Sequence, residues 1–271
     1  MSQVTPRQKQ YKILLVGDSC SDIYVFGNCD RLSPEAPVPV FRESSRKVIP
    51  GMTLNVAESL TNLGSKVSVI TNKRKIKKTR FVDRLSSQHI LRVDDEEAVE
   101  EITNIKIDQI DPEAYDALVL SDYDKGFLPF KSAQKLCDKF VEKSVPVFVD
   151  SKKVNLSCYE GAIIKINKHE KMQVKKMPES SRLITTLGSQ GADYENEHFP
   201  PYQTKVSDKH GHRDVCGAGD AFLAALVHRF LRNGKDLKEA ISFSNKCAAI
   251  VVGYFGTRPV TKKDLEEEGI S

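Results

Sequence analysis

Six short apolar runs, most of them closing on a glycine, an acid or an amide, constrain the fold of this sequence more than any other feature. They are Lys12–Val16 before Gly17-Asp18, Val67–Ile70, Ala117–Leu120 before Ser121-Asp122, Val145–Val149 before Asp150, Ala162–Ile166 before Asn167, and Arg182–Thr186 before Gly188. Runs that are apolar throughout, rather than alternating, describe strands buried on both faces. Helical periodicity fills the gaps: Leu54–Leu63 closed by Gly64, Lys131–Lys143, and Ala221–Leu231 ending near Gly234. Buried strands alternating with amphipathic helices predict an α/β chain with a doubly wound, mainly parallel sheet and right-handed crossovers. Asp18, Asp22, Asp122, Asp150 and Asn167 then gather at strand carboxyl ends, where open α/β sheets place their ligands.

Two stretches break this rhythm. Val38–Glu43, and Arg80–Val82 with His89–Val93, are strand-like pieces with no helix between them. They predict a small second sheet from segments at about 24–50 and 79–94, placed as a lid that excludes water. The whole chain, 1–271, is expected to be one domain with this lid.

Composition excludes several classes. No apolar run reaches the length of a bilayer span, and residues 1–12 lack the apolar core of a secretory signal, so a short polar arm and a cytoplasmic location are expected. Six widely spaced cysteines with no C-x-x-C pair fit reduced thiols rather than a disulfide framework or a zinc site. The formal net charge of +4 is local in origin, because Lys73–Arg80 alone carries six basic residues. That run is expected to be a solvated loop, and neither a nucleic-acid nor a membrane partner is implied.

Chemistry is most legible in Gly217-Ala218-Gly219-Asp220, which leads directly into the apolar helix beginning at Ala221. Glycines allow close backbone approach, and amides at a helix amino terminus form an anion hole for a phosphoryl group. A carboxylate at the same point can take the proton of an attacking hydroxyl. The competing structural reading is that Asp220 only caps the helix.

Further motifs carry a resemblance. Gly17-Asp18 with Asp22, Tyr24 and Gly27, the run Arg31-Leu32-Ser33-Pro34-Glu35-Ala36-Pro37-Val38-Pro39-Val40, Pro50-Gly51-Met52-Thr53-Leu54-Asn55-Val56-Ala57, Ser121-Asp122-Tyr123-Asp124-Lys125-Gly126 and Asn167-Lys168-His169-Glu170 resemble the ribokinase-like (pfkB) carbohydrate kinases. Within that family they look most like the bacterial D-glycero-D-manno-heptose-7-phosphate kinases. The resemblance implies that Asp220 is the catalytic base and that the backbone of Gly217, Ala218 and Gly219 is the anion hole. It assigns sugar contacts to Asp22, Gly51 and Asn55, and a substrate phosphate to Lys125, with Lys152 a further candidate beside a merely solvated role. Asn167 and Glu170 would organise Mg2+ indirectly around the phosphates of ATP. Thr186, Gly188 and Gly191 would form the nucleotide turn, with Asn245 near the adenine. A monovalent cation near the anion hole and a homodimer through the lid belong to some relatives.

The sequence departs from the pattern at three places. Met52 replaces the second glycine of the sugar-binding turn, which bears on sugar identity. A helix and strand that relatives carry between the strand ending near Thr71 and the segment from Thr79 are missing. The nucleotidyltransferase domain fused to many relatives, with its H-x-G-H motif, is also not found; Lys209-His210-Gly211-His212 reads as a polar loop, and only a kinase step is expected. The departures leave two other functions in play, a kinase for another sugar or sugar phosphate and a catalytically inactive sugar- or nucleotide-binding protein.

Overall fold

The computed structural model describes residues 9–204 and 214–270; Lys209–His212 lies outside them. In chain order the first strands are β1 (Lys12–Gly17), β2 (Ser19–Leu32), β3 (Pro39–Met52), β4 (Lys66–Thr71), β5 (Ile76–Asp83) and β6 (His89–Asp95). They are followed by β7 (Ala117–Asp122), β8 (Val147–Ser151), β9 (Ile163–Asn167), β10 (Arg182–Thr186), β11 (Ala192–Tyr194) and β12 (Glu197–Phe199). The helices are α1 (Thr53–Asn62), α2 (Asn104–Asp108), α3 (Phe130–Val141), α4 (Lys168–Gln173), α5 (Ala218–Arg232), α6 (Leu237–Val252) and α7 (Lys262–Glu268).

All six apolar runs become strands of one eight-stranded sheet, ordered β12-β11-β10-β9-β8-β7-β1-β4. The six pair in parallel, and only β11 and β12 add antiparallel pairs at one edge. Leu14, Val16, Leu118, Leu120, Val149 and Ile164 pack on one side with Leu136 and Phe140 of α3. Ile13, Leu15, Val119 and Phe148 pack on the other with Val56 and Leu60 of α1 and Phe222, Leu226 and Phe230 of α5. Burying side chains of this size contributes about 1.5–3 kcal/mol each, which is why β1, β7, β8 and β9 tolerate no alternation; the expectation of burial on both faces fails for Val67–Ile70, because β4 is an edge strand with Val69 38% exposed. α3 buries Ala133, Leu136, Cys137 and Phe140, the spacing of a single helical stripe. The apolar run from Val145 shortens to a strand at Val147 because Pro146 has no N–H for the ladder; its carbonyl still accepts from Leu118 N–H at 3.0 Å.

A second sheet, ordered β3-β2-β5-β6, forms the lid. Its strands run longer than the sequence segments suggest, with β2 beginning at Ser19 and β3 reaching Met52. β5 lies parallel to β2, with Asp22 opposite Lys78 and Tyr24 opposite Arg80. The expectation of a solvated loop at Lys73–Arg80 is therefore corrected: β5 starts at Ile76, and strand alternation turns Arg80 inward, where it is 6% exposed. The opposite face of the lid carries Leu91 beside Phe81 and Val48 beside Ile23, and both Leu91 and Val48 are exposed.

Residues 72–75 join β4 directly to β5. Asn72 makes this short connection possible. Its buried amide accepts from Ser19 N–H at 2.7 Å and donates to the carbonyls of Ser19 and Arg74, while the Glu100 carboxylate accepts from the amides of Lys73 and Arg74. β4 is the outermost strand on its side of the main sheet.

Candidate active site

The site is built where β1, β7, β8 and β9 end and the lid begins. α5 starts at Ala218, three residues earlier than its apolar pattern, so the glycine run is itself the first turn. Gly217 is the N-cap, in the left-handed region at φ 79°, and a Cβ there would lie 2.9 Å from Asn55 Nδ2. Asp220 is thus inside the first turn and does not cap it. Its buried carboxylate faces away from its own helix: Asn55 Nδ2 donates to Oδ2 at 2.9 Å and the Tyr123 hydroxyl donates to Oδ1 at 2.6 Å. Burial pushes the Asp220 carboxyl up to about 6, with the bonds from Asn55 and Tyr123 and the charge of Lys165 opposing the rise and Asp150 adding to it.

Asn55 sits in the first turn of α1, whose N-cap is Met52, so the capping alternative fails for this residue also. Its Oδ1 is buried without a hydrogen-bond partner, an acceptor left over inside the site. Met52 holds φ 56°, ψ −129°, a conformation natural to the glycine of related sequences and costly for a side chain, by about 1–3 kcal/mol. Its own side chain is buried in the cluster containing Cys20 and Ile76.

Asp22 lies on β2 facing inward, where Arg80 Nη1 donates to its Oδ1 at 2.5 Å and the Thr257 hydroxyl to its Oδ2 at 3.3 Å. A Cβ on Gly51 would meet that Oδ2 at 2.4 Å, so the glycine leaves room for the carboxylate. Arg80 also lies over the Tyr24 ring, 5.2 Å from its centre, and the Tyr24 hydroxyl accepts from Thr257 N–H at 3.0 Å. Lid and glycine run are joined through this group. Asp214 shapes the run itself, since its carboxylate accepts from the amides of Cys216 and Gly256; despite burial, these bonds hold its carboxyl below the ordinary value.

The other sequence candidates are distributed around this centre. Lys125 is engaged by Glu96 at 2.5 Å, and its backbone N–H donates to Asp18. Asn167 and Glu170 form a capping box on α4, each side chain accepting from the other's amide at 2.8 Å, and Lys152 adds an ion pair to Glu170 at 2.6 Å. An oxygen-only pair with one carboxylate suits a hydrated Mg2+. Thr186 ends β10, and Gly188 and Gly191 form the turn that follows, both at positive φ. Asn245, on α6, donates to the carbonyls of Phe199 and Pro200 at 3.0 and 3.1 Å. The structure thus brings Asp220, Gly217–Gly219 and Asn55 into one centre, with Asp22 and Gly51 on its lid side, while Lys125 and Asn245 already serve other partners.

The sequence reading assigned no role to four groups near this centre. Lys165 Nζ is paired with Asp150 Oδ2 at 2.6 Å, both side chains nearly buried, and a Cβ on Gly219 would lie 3.0 Å from that ammonium. The signal was present in Ile163-Ile164-Lys165-Ile166, a single charge inside a buried strand. Tyr123 stood within a quoted motif, and Arg80 was assigned to a loop whose strand alternation went unread.

Fold comparison defines the class first. Phosphofructokinase-2 from Escherichia coli, solved in complex with potassium, matches with a TM-score of 0.71 at 16% identity, covering 96% of this chain and 98% of that one. Ribokinase from Arabidopsis thaliana, complexed with ribose and ATP, matches with a TM-score of 0.67 at 15% identity, covering 97% of this chain and 100% of that one. The fold is ribokinase-like. Residues 160–264 match the pfkB family carbohydrate kinases. The bifunctional protein HldE of Nitratiruptor sp. is 34% identical over 308 residues, covering 94% of this chain and 64% of that protein. The HldE protein of Sulfurimonas denitrificans is 32% identical over 98% of this chain and 65% of its own length. The chain belongs to the pfkB family of carbohydrate kinases, and it spans less than two-thirds of the length of these relatives.

Proposed function

We propose that the chain is an ATP-dependent kinase that phosphorylates the anomeric hydroxyl of D-glycero-D-manno-heptose 7-phosphate, giving the 1,7-bisphosphate for an ADP-heptose type of lipopolysaccharide precursor. The observation that carries this reading is the buried Asp220 carboxylate in the first turn of α5, held by Asn55 and Tyr123 and facing the lid. The heptose-kinase signature at Arg31–Val40 and the likeness to HldE proteins support the choice of sugar.

The chemistry follows from the residues. The acceptor hydroxyl gives its proton to Asp220 as its oxygen forms a bond to the γ-phosphorus, and the bond from that phosphorus to the ADP oxygen breaks. At the start of α5 the amides of Gly217 and Gly219 would stabilise charge on the transferring group, while Ala218 N–H is turned onto the Val215 carbonyl at 3.3 Å. Asn55 holds the base and offers its spare carbonyl to the sugar; Asp22, oriented by Arg80, takes further hydroxyls. Asn167 and Glu170 would hold a hydrated Mg2+, which would supply charge neutralisation on the phosphates. The potassium-bound phosphofructokinase-2 neighbour makes a monovalent cation near the anion hole part of the same proposal.

Two further elements of the reading concern the setting. The apolar outer face of the lid, with Val48, Phe81 and Leu91, is the surface through which a homodimer would form. Among the described residues no helix is long and apolar enough to cross a membrane, and all six cysteines are free thiols, which suits a cytoplasmic reaction. Met52 in the sugar-binding turn favours, as a second reading, a kinase for another sugar phosphate. A coupled assay of ADP release over heptose, hexose and pentose phosphates, beside Asp220→Asn, tests both. The heptose reading is refuted if another sugar phosphate turns over faster, and sugar binding without ADP release would indicate an inactive binding protein.

A further inference from the structure

Lys165 is the one lysine buried among the described residues, and strand alternation decides where it points. Phe148 of β8 and Ile163 of β9 pair in register and pack on the side of the sheet that α5 covers. Two residues further along each strand, Asp150 and Lys165 pair in register and face the same way, one step nearer the carboxyl ends. That step brings them beside the first turn of α5: a Cβ on Gly219 would lie 3.0 Å from Lys165 Nζ and 3.9 Å from Asp150 Oδ2.

A cation is unfavourable in this place. Taking an ammonium out of water costs several kcal/mol, and the amino end of a helix carries partial positive charge that repels it. Ile163, Ile164 and Ile166 around it are what a buried strand ordinarily carries. Asp150 offsets part of the cost with one bond at 2.6 Å. An ammonium has three donors, and among the described residues this is the one hydrogen bond that Lys165 Nζ makes. Its charge acts both on Asp220, the proposed base, and on Glu170, proposed for the side of the ATP phosphates. Other lysines nearby are engaged by acids of their own, Lys152 by Glu170 and Lys153 by Asp122 and Asp124.

We propose that Lys165 is a further catalytic residue, whose spare donors bond the oxygens of the phosphoryl group as it passes from ATP to the sugar. This inference rests on the reading of the glycine run as the anion hole and of Asp220 as the base. The amides of Gly217 and Gly219 reach the group from the end of α5, and Lys165 reaches it from β9. In the step, the acceptor oxygen bonds to the γ-phosphorus while the hydroxyl proton passes to Asp220; the bond from phosphorus to the ADP oxygen breaks, and its electron pair stays on ADP. No proton moves to or from Lys165. It supplies fixed charge, and its bonds strengthen as negative charge gathers on the transferring oxygens and on ADP. Asp150 is a positioning residue that holds the ammonium beside Gly219, where the lack of a side chain leaves room for it.

Lys165→Met alone leaves Asp150 buried and unpaired, so the test combines it with Asp150→Asn, which removes both charges, and urea unfolding checks that the double variant folds. ADP release is followed with D-glycero-D-manno-heptose 7-phosphate or whichever member of the sugar-phosphate panel turns over. The double variant should lose about 10²- to 10³-fold in kcat, as when one oxyanion donor is removed, with the KM for the sugar changed by less than about threefold. The same losses are expected of Asp150→Asn with Lys165→Gln, a neutral pair that can still hydrogen-bond. Calorimetry gives a second readout without turnover: in the presence of Mg2+, affinity for ADP with aluminium fluoride, a mimic of the transferring group, should fall by a similar factor while affinity for ADP alone holds. A folded double variant that keeps the parent kcat overturns the proposal. So does a lowered kcat with unchanged affinity for ADP with aluminium fluoride, or an equal loss with and without the fluoride, since either places the effect away from the transferring group. Asp220→Asn run alongside keeps the two readings apart. Retained turnover there refutes the base, and the calorimetric comparison still decides the part of Lys165.

Discussion

Asp220→Asn should make the protein more stable and less active, and the pH dependence of the first effect can be worked out from the structure. Burial raises the Asp220 carboxyl from 3.8 to about 6. That rise corresponds to about 3 kcal/mol of folding free energy forgone whenever the group is ionised in the fold. The sign follows from proton binding. The folded carboxyl holds its proton more tightly than the unfolded one, so the stabilising contribution of protonation is complete below about pH 4 and lost as pH rises through about 6. An amide of the same shape has no charge to bury, and it can still accept from Tyr123. Asp220→Asn is therefore expected to raise unfolding free energy by about 2–3 kcal/mol near pH 8, or roughly 4–6 °C in Tm for a chain of this size. The gain shrinks towards zero near pH 4. Urea unfolding at both pH values measures it, while ADP release falls by about 10²- to 10⁴-fold. A variant that is less stable near pH 8, or whose stability difference is the same at both pH values, would refute the claim that this carboxylate is held against its burial cost.

Three further outcomes follow from the packing around this centre. Lys165→Met leaves the Asp150 carboxylate buried without its partner and should cost about 3–5 kcal/mol in urea unfolding; Asp150→Asn with Lys165→Met should cost less than the single change, and additive losses would show that the pair is not coupled. Gly51→Ala places a Cβ 2.4 Å from Asp22 Oδ2 and 2.6 Å from Cys20 Sγ. It should raise KM for the sugar about tenfold or more and cost about 1–3 kcal/mol of stability, and an unchanged KM would remove Asp22 from the sugar site. Leu91→Lys with Val48→Lys should convert a dimer to a monomer in sedimentation velocity with the fold intact, whereas a parent protein that sediments as a monomer would refute pairing through the lid.

The main sheet was legible because its strands are apolar on both faces, a pattern that the buried core at Ile13–Val16 or Leu118–Leu120 leaves no freedom to vary. Asp220 and Asn55 were legible for a different reason: they sit among glycines and helix starts, where short motifs mark backbone geometry. Lys78 and Arg80 were not. A run of six basic residues reads as solvent-facing until strand pairing with β2 fixes which alternate members turn inward. Neighbouring strands also hide pairs such as Asp150 with Lys165, which are 15 residues apart and meet only because β8 and β9 lie side by side. Asn167 and Glu170 show the converse, since the spacing read as an ion-organising pair is in the structure a capping box on α4.

The direct joining of β4 to β5 has a cost that falls outside the pocket. Shortening a connection lowers the entropy of closing it only slightly, by about 0.6 kcal/mol for each halving of its length. A connection this short gains little in chain entropy, and β4, the last strand of its sheet, carries an unpaired row of amides and carbonyls with Val69 38% exposed. Such a rim is a template on which a second chain can add a strand. Lys66 lies at its start, and just past its end Lys73, Arg74 and Lys75 are partly balanced by Glu97, which pairs with Arg74, and by Glu100, which accepts from the amides of Lys73 and Arg74. Charges of both signs thus flank this edge, and charged flanks are one way in which sheet edges resist pairing with another copy.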